Sequence, residues 1–293
     1  MFIVRHRIIF FIISGLLFAG SFFAFFTKGL NFGIDFKGGS IVEVEYSAGR
    51  PDVSVLKDAI DPLGFSPRIQ ETGDNGFLIR TRTLDDAKGE HTALLSALTL
   101  GGTVEATEVR YNSIGPVIGK ELRDKAWLAI LAVIVGIVLF IAFVFRKVSE
   151  PVSSWKYGVI TSVALLHDII IPTGVFAFLG KEIDTLFVVG LLSIMGLSVH
   201  DTIVVFDRVR ENLKLKISSN FSETVGASLR QTFTRSINTS LTIIFVLIAL
   251  YFVGPASTHD FALLLLIGMT IGTYSSVFIA SPLLVVAEES GKK

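Results

Sequence analysis

A histidine and an aspartate stand side by side inside an apolar run, in the stretch LSVHDTIVVFDRVREN from Leu197 to Asn212. The pair is His200 and Asp201, and charged residues become dense only after Phe206. A carboxylate at the middle of a bilayer costs roughly 2.5–3.5 kcal/mol on insertion scales, so such a group normally faces a partner, a bundle interior or water. Asp201 is therefore a candidate for proton coupling, with His200 beside it.

Arg235 is the candidate partner of Asp201, and it starts a polar stripe at helical spacing with Asn238, Thr239 and Thr242. Consecutive antiparallel helices would bring Arg235 and Asp201 to similar depth. An opposite charge favours the ionised carboxylate, whereas loss of water favours the neutral one, so a small change in helix spacing would move a proton. The alternative is a static pair that fixes helix register, or an arginine that only reaches the membrane surface.

A second pair, His167 and Asp168, lies four residues before Pro172 in another apolar run, and we treat it as a secondary proton-coupling candidate. Imidazole and carboxylate also bind zinc or iron. Neighbouring residues on a helix point about 100° apart, however, so two adjacent residues are not expected to chelate one ion together. The sequence contains no cysteine, which excludes thiolate ligands.

No nucleophile elbow, phosphate-binding loop or catalytic triad is present in the sequence. Gly38 and Gly39 indicate a turn rather than a nucleotide site. We therefore expect a protein that is not an enzyme and that has no cofactor and no metal.

The elements that position these residues are transmembrane helices. Hydrophobic residues make up 51% of the 293 residues, and 25 of them are phenylalanines, which exceeds what a soluble core needs. A helix of about 18 or more apolar residues crosses the hydrocarbon layer. Six runs meet that length, at approximately 8–26, 126–145, 157–179, 186–206, 237–253 and 261–287.

Basic residues predict the orientation, because cytoplasmic loops are enriched in Lys and Arg. The loops 180–185 and 254–260 contain only Lys181 as a basic residue and should be external. The basic residues of the other connections are Arg146, Lys147, Arg208, Arg210, Lys214, Lys216, Arg230 and Arg235. The sequence predicts a multi-pass protein of the cytoplasmic (inner) membrane with both termini in the cytoplasm. The first run is too long for a signal peptide and lacks a cleavage pattern, so we interpret it as an uncleaved anchor.

Three regions follow from this topology: 1–28 with the first helix, 29–123 outside the membrane, and 124–293 with the second to sixth helices. Strand and helix patterns in the exported region occur in the order β-α-β-β-α-β, at 41–46, 53–60, 65–70, 77–81, 84–98 and 104–111. That order is typical of a ferredoxin-like α+β domain. The fold class is thus an α-helical membrane protein with six transmembrane helices and a small α+β extracytoplasmic domain between the first and second.

Other sequence patterns predict how the helices pack and where the loop 207–235 lies. Small residues along the fourth run, at Gly190, Ser193, Leu197 and Asp201, predict a face that a neighbouring helix can approach. Gly268 and Gly272 in the last run predict close packing, and that run, which has no charged residue, is expected to offer no chemistry. The amphipathic cytoplasmic loop 207–235 is predicted to lie along the membrane surface, with a plain connector as the alternative.

Four segments resemble the signature blocks of the SecF family of protein-export subunits, which is related to the RND transporter superfamily. They are NFGIDFKGGS at 31–40, SIGPVIGKEL at 113–122, LSVHDTIVVFDRVREN at 197–212 and RSINTS at 235–240. The resemblance covers nearly the whole chain in order, and it implies an RND-like half. The aspartate and arginine of the family match Asp201 and Arg235. The family usually has asparagine where this chain has His200, which titrates near neutral pH.

The resemblance also implies partners and an energy source. These are a SecD subunit with a similar six-span half, the SecYEG channel and a translocating preprotein, with the proton motive force assisting late translocation and sodium as the alternative ion. Three other functions stay open: a passive assembly subunit of the translocon, an RND-type small-molecule exporter and a membrane metalloenzyme.

Overall fold

The computed structural model describes residues 2–146 and 152–291 and divides them into two compact units. The helices are α1 (Phe2–Arg5), α2 (Arg7–Lys28), α3 (Ile34–Lys37), α4 (Val53–Ile60), α5 (Glu90–Leu98), α6 (Pro116–Val144), α7 (Ser154–Leu179), α8 (Thr185–Lys214), α9 (Phe221–Val253), α10 (Ala256–Ser275) and α11 (Ser281–Gly291). The strands are β1 (Asn31–Phe32), β2 (Gly39–Tyr46), β3 (Arg68–Thr72), β4 (Gly76–Thr81), β5 (Ala106–Ile114) and β6 (Glu182–Ile183).

The first unit is helical and contains residues 2–31 and the chain from Leu128 onward. In the described part, six helices are long and apolar enough to cross a membrane, which confirms the six predicted spans. The sixth combines α10 and α11 through a π-helical turn, Ser276–Ala280. Half of the most apolar stretch of α7 and of α8 is buried, against 6% of that of α6. The centre of the bundle is therefore α7, α8 and α10, and all the buried candidate residues lie on it or next to it.

The second unit, Phe32–Trp127, is an antiparallel sheet in the order β3-β4-β2-β5 with α4 and α5 packed against it. This strand order is the one that a β-α-β-β-α-β chain gives in a ferredoxin-like fold, so the prediction is confirmed. Alternate residues of β2 enter the core, where Val42 pairs with Ile79 and Val44 with Phe77. The unit's bounds lie close to the predicted 29–123.

Two of the signature blocks meet inside this second unit. Gly38 has φ +80°, and a Cβ there would lie 2.8 Å from the Cα of Pro116, at the start of α6. A Cβ on Gly119 would in turn lie 2.9 Å from the backbone nitrogen of Gly38. Ser40 and Ser113 share a hydrogen bond of 2.7 Å beside them. The glycines are thus needed for backbone contact between two segments rather than for a nucleotide.

The segment 207–235 differs from the surface loop that was predicted. α8 and α9 extend into it, and only residues 215–220 lie between them. Three apolar residues spaced by one helical turn enter the core of the helical unit instead of facing lipid: Phe221, Val225 and Leu229. Asn212 fastens the two helices together by donating to Ser228 Oγ at 2.8 Å and to Gln231 Oε1 at 2.9 Å.

Candidate functional site in the helical unit

Asp168 on α7 is completely buried and surrounded by hydrogen-bond donors. Ser198 Oγ on α8 donates to Oδ2 of Asp168 at 2.5 Å, and Ser275 Oγ on α10 donates to the same oxygen at 2.7 Å. His167 Nδ1 lies 3.0 Å from the other oxygen. Three helices thus converge on one carboxylate, which compensates the cost of burying it.

His167 does reach Asp168, although the two are adjacent on one helix. The prediction that two adjacent residues do not chelate one ion together is not contradicted by this contact, because a hydrogen bond joins the two side chains directly. His167 is buried, and its Nε2 has no hydrogen-bond partner among the described residues. The described part of the chain holds no group of three His, Cys, Asp or Glu that could bind a metal ion.

Asp201 on α8 is also buried, but it is far less well partnered. Among the described residues it accepts one hydrogen bond, from Ser240 Oγ on α9 at the long distance of 3.4 Å. The same hydroxyl lies 2.9 Å from the carbonyl oxygen of Ser236. A serine has only one proton to donate, so Ser240 can serve Asp201 or the Ser236 carbonyl but not both. The Ser236 hydroxyl, one turn away, is buried without a partner in the described part of the chain.

Three hydroxyls of α10 and its π turn connect the two carboxylates. Ser275 binds Asp168, whereas Thr273 Oγ1 donates to Ser240 Oγ at 2.6 Å, next to Asp201. The Ser276 hydroxyl shares a hydrogen bond of 2.9 Å with Thr202 of α8, the residue that follows Asp201. The expectation that the last run offers no chemistry is therefore wrong. The sequence signal was available: Thr273, Tyr274, Ser275 and Ser276 are four consecutive hydroxyl residues inside an apolar span.

The two glycines of α10 bring these hydroxyls close to α8, as their spacing predicted. A Cβ at Gly268 would lie 2.1 Å from Ile194 Cδ1, and one at Gly272 would lie 3.1 Å from Ser198 Cβ. The predicted face of α8 is only partly right. Gly190 and Asp201 are buried, but Ser193 is exposed and Leu197 is half-buried. The face that packs on α10 contains Gly190, Ile194, Ser198 and Thr202.

Arg235 does not form the predicted ion pair with Asp201. It is exposed, and no salt bridge joins it to a carboxylate among the described residues. His200 is exposed as well, without a hydrogen bond in that part of the chain. The structure thus brings Asp201 together with Ser240, and brings His167 together with Asp168. It leaves Arg235 and His200 exposed, within electrostatic range of Asp201 but without a direct contact to it.

The stripe that begins with Arg235 points outward over its whole length. Asn238, Thr239 and Thr242 are all exposed, whereas Ser236 and Ser240 on the other side of α9 are buried. The Thr242 hydroxyl donates to the Asn238 carbonyl of its own helix at 2.8 Å. The side-chain amide of Asn238 has no partner among the described residues. An apolar span therefore presents a row of polar groups that this unit does not satisfy.

Two family models match the chain. The model described as "Protein export membrane protein SecD/SecF, C-terminal" matches residues 96–290, which include every helix of the candidate site. The model described as "SecD/SecF GG Motif" matches residues 23–49, around Gly38 and Gly39.

Individual proteins agree with the family models. The protein translocase subunit SecF of Thermobaculum terrenum is 40% identical over 300 residues, which cover 97% of this chain and 92% of that protein. The protein translocase subunit SecF of Vibrio alginolyticus is 38% identical, over 93% of this chain and 85% of that protein.

A solved structure has the same fold. The crystal structure of SecDF, a translocon-associated membrane protein from Thermus thermophilus, matches 98% of this chain with a TM-score of 0.84 and 33% identity. This chain spans 38% of the length of that SecDF chain. A match of one family model to most of the chain, together with full-length relatives of 38–40% identity, leads to one conclusion: the chain belongs to the SecD/SecF family of protein-export membrane proteins.

Proposed function

We propose that this chain is a proton-coupled subunit of protein export, which works with a SecD partner beside the SecYEG channel and assists a translocating preprotein. The observation that supports it best is the state of Asp201. This carboxylate is buried with one long hydrogen bond, next to a helix whose polar face is turned outward. Such a site is incomplete among the described residues, which is what a coupling site shared between two subunits requires.

The partner follows from the unsatisfied face of α9. Lipid offers no hydrogen bonds, so polar side chains inside a span normally face protein or water. Arg235 and Asn238 have neither ion pair nor side-chain hydrogen bond in the described part of the chain, and His200 of α8 is exposed too. A second membrane protein that covers this face would supply their partners. A SecD subunit is the natural candidate, because the matching crystal structure is of SecDF and this chain spans only 38% of it.

The coupling step is protonation of Asp201. Loss of its charge removes the attraction for cationic groups at the subunit boundary, Arg235 included, and releases Ser240 to donate fully to the Ser236 carbonyl. The helices on the two sides of the boundary would then shift, and the exported domain would change its hold on the preprotein. One charge that crosses 100 mV releases about 2.3 kcal/mol, enough to bias a two-state element several tens of fold.

We further propose that the protein is in the cytoplasmic (inner) membrane with both termini in the cytoplasm, as the distribution of Lys and Arg predicts. This places the ferredoxin-like unit on the far side, where a preprotein emerges. The protein acts as a coupling subunit and not as an enzyme, without a cofactor other than the ion gradient, and sodium is the alternative ion.

The test is the release rate of a secretory preprotein from vesicles that contain the export channel, the SecD partner and this chain, with and without an imposed proton gradient. Asp201→Asn keeps the shape of the side chain and removes its titration. Asp207→Asn is the matched control, since it makes the same chemical change on the same helix at an exposed residue paired with Arg210. Replacing sodium by potassium in a parallel series identifies the ion.

We expect the gradient to accelerate release with the wild-type chain and with Asp207→Asn, but not with Asp201→Asn, while all three assemble with the partner. Equal acceleration in all three would support the passive assembly function instead. An RND-type small-molecule exporter has no specific observation in its favour.

A further inference from the structure

A second buried titratable pair lies apart from Asp201, and the coupling step above does not use it. Asp168 is fully buried and has donors on both of its oxygens, whereas His167 beside it is 6% exposed and has an Nε2 without a partner among the described residues. Leaving a buried polar atom unpaired costs about 1–3 kcal/mol. An atom kept unpaired at the centre of a bundle therefore calls for an explanation.

The hydrogen bonds determine where the protons of this pair lie. Two lone pairs cannot face each other at the 3.0 Å between His167 Nδ1 and Asp168 Oδ1, so one proton lies between these atoms. Ser198 and Ser275 both donate to the other oxygen, an arrangement that suits an ionised carboxylate. The shared proton then belongs to Nδ1 of the imidazole. In the neutral ring Nε2 then carries a lone pair, and no described residue donates a hydrogen bond to it.

We propose that His167 and Asp168 form a second proton-binding site, at which Nε2 of His167 takes up one proton. The new N–H bond converts the imidazole to an imidazolium that stays paired with the Asp168 carboxylate, so the pair changes from one net negative charge to none. The proton comes from the gradient, and in this respect the inference rests on the proposed function.

The surroundings of His167 favour a site of this kind. α2, α8 and α10 pack against α7. Tyr274 of α10 faces the imidazole with ring centroids 6.3 Å apart, and its hydroxyl donates to the Phe10 carbonyl of α2 at 3.0 Å. The apolar interior of α2 contributes no charge. α11 packs against α7 as well and carries Glu288. The other titratable groups on these helices include Asp201 and His200 on α8, with Lys156 and Tyr157 on α7 itself.

The site is linked to Asp201 through α10. The Ser275 hydroxyl donates to Asp168, and the Ser276 hydroxyl shares a hydrogen bond with Thr202. Thr273 donates to the Ser240 hydroxyl, which in turn lies next to Asp201. The π-helical turn begins at Ser276, and π turns occur frequently at functional sites because one extra residue re-aims the side chains. A charge change at the His167–Asp168 pair therefore acts on the same segment of α10 that supplies a hydroxyl next to Asp201, so the two sites can respond to each other.

Nitrogen NMR of the full chain reconstituted in lipid vesicles tests the protonation directly. The chain has five histidines, and the His167 signal is the one that disappears in His167→Asn. This variant keeps a donor near the position of Nδ1 and removes Nε2. We expect a neutral ring with the proton on Nδ1 at alkaline pH, and protonation of Nε2 as the pH falls. An Nε2 that carries a proton at every pH, or a signal that responds to sodium and not to pH, would overturn the proposal.

Preprotein release then tests whether the site takes part in coupling. We expect His167→Asn to lower the gradient-dependent increase in release rate by roughly fivefold or more, a typical size for coupling between two sites. His259→Asn is the matched control, since His259 lies at the other end of α10, where it contacts the Gly254 carbonyl and the ring of Tyr251. Ser275→Ala provides a second variant that loses one donor to Asp168 and keeps both titratable groups, and we expect it to shift the pH of the His167 transition.

The outcomes separate this inference from the proposed function. If Asp201→Asn abolishes the gradient response while His167→Asn and Ser275→Ala leave it and the NMR transition unchanged, the second site is wrong and the proposed function stands. If Asp201→Asn leaves the response intact, the proposed function fails. A third outcome is that NMR shows protonation of His167 while His167→Asn has no effect on the rate of preprotein release. His167 would then bind a proton outside the coupling path, which contradicts the inference as well.

Discussion

Asp168 and Asp201 are two buried carboxylates in one helical bundle, and they differ in the number and length of the hydrogen bonds that they accept. Asp168 receives three hydrogen bonds of 3.0 Å or less from residues on α7, α8 and α10. Asp201 receives one, at 3.4 Å, and the nearest cationic candidates face outward. The first site is complete within this chain, whereas the second depends on what lies next to it. The difference indicates that the internal site stabilises the bundle and that the boundary site is where a neighbouring subunit acts.

The largest effect that this comparison predicts is on folding. Asp168→Ala leaves the His167 and Ser198 donors without an acceptor, whereas Ser275 can still donate to the Gly272 carbonyl at 3.0 Å. At about 1 kcal/mol or slightly more for each unpaired donor inside a membrane bundle, we expect a loss of about 2–3 kcal/mol in the free energy of unfolding. Asp201→Ala removes one long hydrogen bond and should cost less than about 1 kcal/mol. Denaturant unfolding of the chain in mixed micelles measures both. Similar costs for the two variants would break the comparison.

A smaller effect is expected from the glycine that brings α10 to α8. In Gly272→Ala the new Cβ would lie 3.1 Å from Ser198 Cβ and 3.7 Å from Asp168 Oδ2, so Ser198 must shift slightly beside the carboxylate that it binds. Overpacking of this kind costs about 1–3 kcal/mol. Gly196→Ala is the matched control on α8, because nothing lies within 4 Å of its Cβ position. The same unfolding measurement should show a loss for Gly272→Ala alone, and a loss for both would point to a general effect of alanine.

Serine variants sharpen the comparison at a finer scale. Ser275→Ala removes a 2.7 Å hydrogen bond to Asp168 and should cost about 1 kcal/mol, near the upper range for hydrogen bonds between membrane helices. Ser240→Ala removes the long bond to Asp201 and the acceptor of the Thr273 hydroxyl. That hydroxyl can still donate to the Met269 carbonyl at 2.8 Å, so the change should cost about 0.5 kcal/mol. A double-mutant cycle of each serine with its aspartate isolates the pairwise energy. A larger coupling energy for Ser240 with Asp201 than for Ser275 with Asp168 would contradict the conclusion that Asp168 is the more strongly hydrogen-bonded site.

Much of the fold could be predicted from the sequence, because the relevant signals are local. The helix α4 begins and ends where the pattern 53–60 predicted, since Asp52 accepts a hydrogen bond from the backbone of Ser54 and caps it. The six spans follow from length and hydropathy, and the sheet order follows from the order of strands and helices. Local patterns of this kind need no knowledge of which helix faces which.

The site could be predicted only in part, because the rotation of a helix in a membrane is not given by its apolar residues. Lipid and a bundle core are equally apolar, so hydropathy does not distinguish them. α9 carries polar residues on two faces. The face of Arg235 was predicted to pack against α8 because it carries a charge, whereas the structure buries the face of Ser236 and Ser240. In α9, the charged residue therefore lies on the exposed face, and the small hydroxyl residues lie on the face that packs inside the bundle.

The smallest effect on the isolated chain, and the sharpest test of the boundary, is expected from Asn238→Leu. Asn238 is exposed and its amide has no partner in the described part of the chain, so an apolar side chain should leave the free energy of unfolding of this chain alone unchanged, or raise it slightly in lipid. If a second subunit supplies hydrogen bonds to this face, the same change should lower the fraction of the chain that purifies with SecD. Thr270→Leu is the control, because Thr270 is exposed on α10 and its hydroxyl already donates to the Leu266 carbonyl. Loss of association with Asn238→Leu alone locates the subunit boundary on this face of α9. Unchanged association would mean that the polar stripe faces water or lipid headgroups, and that Asp201 must find its missing partners within this chain.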